Sequence, residues 1–173
     1  MTQVQVYVGT YGKYNNGSIE GKWLDVSDYS DKEEFLEACA ELHEDEEDPE
    51  FMFQDIEAPE YLSHLISESH IDDELWEALE AVEGMSIEED VLEAYIYCFG
   101  TNGKSIADLI SEAEDAFCGE FDSDAAFAED YAEQTGAIDS NATWPQNCID
   151  WDWAARDLMI DHHERDGYYF RSY

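Results

Sequence analysis

Thirteen carboxylates recur at spacings that would set them side by side, a fourteenth, Asp45, lies close by in sequence, and the chemistry they suggest is recognition of positive charge. Glu33, Glu37 and Glu41 fall four residues apart, and Asp73, Glu77 and Glu80 fall four and three apart. Glu89 and Glu93, then Asp108, Glu112 and Asp115, then Glu129 and Glu133 repeat the pattern, while Asp45 lies in an acidic run after the first row. Helical neighbours at these spacings are about 5–6 Å apart at Cβ, and like charges there cost a helix roughly 0.2–0.5 kcal/mol per pair. Exposed helices ordinarily place a lysine four residues after a glutamate; in these five rows that lysine is missing. A carboxylate shares with phosphate a full negative charge and acceptor oxygens that an arginine fork engages two at a time.

The same imbalance runs through the chain. Between Glu33 and Gly103 there are 24 Asp and Glu residues and no Lys or Arg. Over all 173 residues the sum is 7 − 45 = −38. Two unit charges about 6 Å apart repel by roughly 0.7 kcal/mol even in water, so such a surface costs folding stability. A basic partner is the natural compensation. At one charge per about 1.7 Å of B-DNA axis, 38 net charges equal about 65 Å of duplex, roughly 19 base pairs. Nucleic acid and anionic membrane would both be repelled and are not expected as partners.

Motifs for catalysis or for cofactors are weak. His162-His163-Glu164 lacks the spacing of a zinc helix. Asp122-Ser123-Asp124 and Asp150-Trp151-Asp152 do not continue into a calcium loop and read as caps and surface acids. Gly9-Thr10-Tyr11-Gly12-Lys13 has the wrong spacing for a phosphate loop, and no nucleophile elbow or dinucleotide fingerprint occurs. No catalytic residue, metal or cofactor is therefore expected. Three other readings stay open: a salt-adapted acidic domain, a calcium-binding or hydrolytic protein, and a chaperone for basic proteins. Cys39, Cys98, Cys118 and Cys148 show no paired spacing. The opening MTQVQVYVGT is unlike a signal peptide, and no apolar run approaches the roughly 20 residues of a membrane span. Reduced thiols and a cytoplasmic location are the expectation.

The elements that must carry the acids are legible from periodicity. Val4, Val6 and Val8 alternate as a strand, Asn15-Asn16-Gly17 suits a hairpin turn, and Ile19 to Val26 returns as a second strand. Ser30 with Glu33 reads as a capping box for a helix ending near His43, and Ser86 with Glu89 as another. Phe51, Phe53 and Ile56 suit a third strand. Leu75, Leu79 and Val82 mark a helix that stops at Gly84, and Val91 to Phe99 and Ile106 to Phe117 mark two more. Asp124 to Gln134 reads as a helix with Gly136 just past its end. Pro145 suits the first turn of a last helix running through Leu158, and Tyr168-Tyr169-Phe170 a closing strand. Fourteen per cent aromatic residues argue for a packed core, hence a folded α+β protein. Composition shifts place seams near residues 60 and 104.

Several stretches resemble the ArdA-type antirestriction proteins encoded by plasmids and conjugative transposons. They are Val6 to Gly17, Gly21-Lys22-Trp23-Leu24-Asp25, Asp31 to Leu42, and Glu50 to Glu57 around Gln54-Asp55. Glu133 to Ala137 and Ile149-Asp150-Trp151 through Ala155-Arg156-Asp157-Leu158 are similar too, with Cys148 standing where an aromatic would be expected. The resemblance implies a mimic of bent B-form DNA that occupies the DNA-binding groove of type I restriction–modification enzymes, on their specificity and modification subunits. It implies an elongated series of three small domains, here 1–60 (α+β), 61–104 (helical) and 105–173 (α+β), with a homodimer formed through the last.

Overall fold

The computed structural model describes residues 2–139 and 141–172. The chain forms two compact units, Met1–Met85 with Ser105–Ala107, and Ser86–Lys104 with Asp108–Tyr173.

In the first unit, β1 (Gln5–Thr10) is the centre of a three-stranded antiparallel sheet, between β2 (Lys22–Asp25) and β3 (Phe51–Glu57). Val4, Val6 and Val8 are fully buried, as their alternation predicts. The link from β1 to β2 is not the tight Asn-Gly turn expected. Thr10 Oγ1 accepts from the Lys13 N–H and starts a short helix, α1 (Tyr11–Asn15). Asn16 and Gly17 end that helix instead, Gly17 at φ +82°. The second strand begins only at Lys22 and leaves Ile19 exposed. Gly21 brings β2 against β1: a Cβ there would lie 2.3 Å from the Val8 carbonyl oxygen, so no larger residue fits.

Helix α2 (Lys32–Leu42) buries Phe35 and Cys39. Its cap sits one residue later than the Ser30–Glu33 reading. Asp31 accepts from the Glu34 N–H, and the Glu34 carboxylate reaches back to the backbone N–H and hydroxyl of Ser30. Phe35 is an aromatic hub touching Tyr29, Phe53 and Trp76. A short helix α3 (Glu60–Ser63), the two-residue strands β4 (Ile66–Ser67) and β5 (His70–Ile71), and helix α4 (Glu74–Gly84) complete this unit. Trp76 Nε1 donates to the Tyr29 carbonyl and ties α4 to the chain entering α2.

The second unit holds α5 (Glu89–Phe99), most of α6 (Ile106–Ala116), and α7 (Asp124–Gln134). Ser86 does not cap α5 as expected; its N–H and hydroxyl both donate to Glu114 on α6, at 2.7 Å each. Phe117, expected at the end of α6, opens β6 (Phe117–Glu120), which pairs with the final strand. Ser123 caps α7. At its other end Gly136 takes φ +70°, with its N–H on Glu133 and that of Ala137 on Ala132, the double bond pattern of a Schellman stop. Pro145 precedes a 3₁₀ turn (Gln146–Cys148) instead of opening the last helix. That helix, α8 (Trp151–Leu158), starts at Asp150, whose carboxylate accepts from the Trp153 N–H. Strands β7 (His162–Arg165) and β8 (Tyr168–Arg171) form a hairpin across Asp166-Gly167, both at positive φ. Phe127, Tyr169 and Phe170 form the core beside them.

Candidate acidic interaction surface

All 45 acidic side chains lie among the described residues and none is buried. The reason is local. Each long helix has one apolar stripe, and the acids occupy the positions off it. On α2 Phe35 and Cys39 face inward while Glu33, Glu37 and Glu41 are exposed. On α4 Leu75, Ala78 and Val82 are buried while Glu77 and Glu80 are exposed, with Asp73 exposed just before the helix. In the second unit Val91, Leu92, Ala94 and Tyr95 bury the inner face of α5, leaving Glu93 exposed and Glu89 half-buried. On α6 Asp108 and Asp115 are exposed and Glu112 is half-buried; on α7 Glu129 and Glu133 are exposed. Asp45 is exposed in the loop after α2.

Asp45, Asp73 and Glu112 are ion-paired. Lys13 Nζ lies 2.9 Å from Asp45, and this bond holds the Asp45 carboxyl below its ordinary range. Lys32 Nζ lies 3.4 Å from Asp73. Lys104 Nζ sits between both Glu112 oxygens, at 2.6 and 2.7 Å, while the Tyr95 hydroxyl donates to the same carboxylate at 3.1 Å. Glu112 is lowered first by that lysine. Glu33, Glu37 and Asp73 are brought together around one groove of about 460 Å³, lined also by Lys32, Leu36 and Ala40.

Other acids have structural work that no row predicted. Glu34 and Glu114 are held below the usual carboxylate range by serine N–H and hydroxyl donors. Asp124 accepts from the Tyr169 hydroxyl at 2.7 Å, and burial with that bond pushes the phenol up. Glu46 accepts from Thr10 at 2.6 Å. The Ser30-x-x-x-Glu34 spacing could have signalled one of these; nothing in the sequence separates Glu114 from Asp115.

Among the described residues no three His, Cys, Asp or Glu side chains converge as a metal ion would need. His162 and His163 are neighbours on a strand and point to opposite faces. His162 packs edge-to-face with Phe127 and Tyr131, and His163 with Phe99. Among the described residues no helix is long and apolar enough to cross a membrane.

The chain is thus a small α+β protein whose helices carry exposed carboxylates. The family model for ArdA antirestriction proteins matches residues 6–170, and the chain belongs to that family of antirestriction proteins. Comparison with curated proteins found no match.

Proposed function

We propose that this antirestriction protein acts as a mimic of B-form DNA. It occupies the DNA-binding groove of a type I restriction–modification enzyme, on the specificity and modification subunits, and performs no catalysis. The observation that carries this reading is the exposure of the lysine-poor acidic rows: twelve of the fourteen row and loop acids are exposed and the other two half-buried. Carboxylates held at the surface can meet the arginines and lysines that otherwise meet phosphates. The test is competition. Methylation and cleavage by a purified type I enzyme should fall as the protein is added, and the effect should weaken with salt as attraction is screened. No inhibition at an excess of protein in dilute salt would overturn the reading.

The reading includes a homodimer and three small domains in series, 1–60, 61–104 and 105–173. Two copies of a −38 chain can meet only where charge is thin. Residues 141–173 carry 3 − 6 = −3, against 4 − 39 = −35 for residues 1–140. That thin stretch also displays Trp144, Trp153 and Ile160 at 77%, 70% and 75% exposure. Light scattering should give twice the 19.9 kDa chain mass, and Trp153→Glu should give the single mass. X-ray scattering of that monomeric variant should give a radius of gyration clearly above the roughly 16 Å of a compact 173-residue sphere.

A further inference from the structure

The groove against α2 is lined by apolar as well as charged side chains, Leu36 and Ala40 among them. Three carboxylates, Glu33, Glu37 and Asp73, and one ammonium, Lys32, line it as well, so its charge is 1 − 3 = −2. Lys32 holds Asp73 at only 3.4 Å and leaves the groove a net acceptor of cations. We propose that this groove seats an arginine side chain of the basic partner, its hydrocarbon stem on Leu36 and Ala40 and its guanidinium among the three carboxylates. Arginine fits better than lysine. Its planar head is weakly hydrated, lies flat on apolar surface and engages carboxylates two at a time, whereas an ammonium is a strongly hydrated point charge. The inference rests on the reading of the protein as an inhibitor of a basic partner, and adds a discrete anchor to a charge that is otherwise distributed.

Two measurements test it. In the first, the full chain is titrated with Nα-acetyl-arginine amide and, separately, with the lysine analogue, and the methyl signals of Leu36 and Ala40 are followed by NMR. Saturable shifts at those methyls, with arginine binding at least about threefold tighter, are expected. Absence of saturable shifts, or equal binding of the two probes, overturns the proposal. In the second, Leu36→Gln and Ala40→Met are assayed as inhibitors; both keep the charge at −38. Each should weaken inhibition about fivefold or more, as loss of a buried anchor does, while Ile19→Gln, at an apolar position 71% exposed elsewhere in the same unit, stays within about twofold. Ala40 is exposed, so its variant decides if Leu36→Gln unfolds. Inhibition within twofold of the parent for both overturns the anchor alone. A parent chain that fails to inhibit overturns the function proposed above, and the probe titration then decides the groove by itself.

Discussion

Glu114 illustrates the second use this chain makes of its acids. It accepts from the N–H and the hydroxyl of Ser86, 28 positions earlier. Those donors favour the ionised form and lower its pKa from 4.5. A group lowered in the folded state contributes stability above its unfolded pKa and loses it as pH falls through the folded value. Glu114→Gln should therefore lower the melting temperature near neutral pH by about 2 °C, the effect of about 1 kcal/mol or less at an exposed site. The gap between parent and variant should close below about pH 4.5. A gap independent of pH would show that charge is not what Ser86 binds. Thiols divide as sharply. Burial pushes Cys39 up to about 12, whereas Cys148 is exposed. A disulfide reagent should label Cys148 at once and Cys39 only on unfolding.

Helix ends decide where the acidic rows begin. Asp31, not Ser30, caps α2. Asp31→Ala should cost about 1 kcal/mol in urea unfolding, and Asp31→Asn, which keeps the capping oxygen, a few tenths. Equal losses would point to charge alone. The helical rows were legible because apolar residues repeat with the period of the helix, and Asp124–Gln134 runs over the residues its pattern predicts. The hairpin partner His162–Arg165 was not legible, since its polar residues carry no strand alternation and it exists by pairing with Tyr168–Arg171. Phe117 continues the periodicity of α6, yet pairing with Phe170 takes it into the sheet.

At the scale of the molecule, a charge of −38 makes salt act in opposite directions on folding and on function. Added salt screens self-repulsion and should raise the melting temperature, while it weakens attraction to a basic partner. Calorimetry and inhibition assays between about 0.05 and 0.5 M NaCl check both signs, and parallel trends would contradict the proposed role. Away from the groove the charge is shared among many sites. Glu129→Gln or Glu133→Gln alone should change inhibition by about twofold or less, an exposed helix charge pair being worth roughly 0.3–0.5 kcal/mol. Neutralising α6 and α7 together should lower inhibition in proportion to the charge removed.

What the amino-acid order determined unaided was the sign of the surface, the apolar stripe of the long helices α2, α4, α5, α6 and α7, and the family resemblance, because these are properties of composition and of neighbours close in the chain. Which carboxylates serve the surface and which serve the scaffold was decided only by the fold. Glu114 meets Ser86 across 28 residues and Asp124 meets Tyr169 across 45. A hydrogen bond over that distance leaves no periodic trace, since either partner alone is one more polar residue on an exposed face.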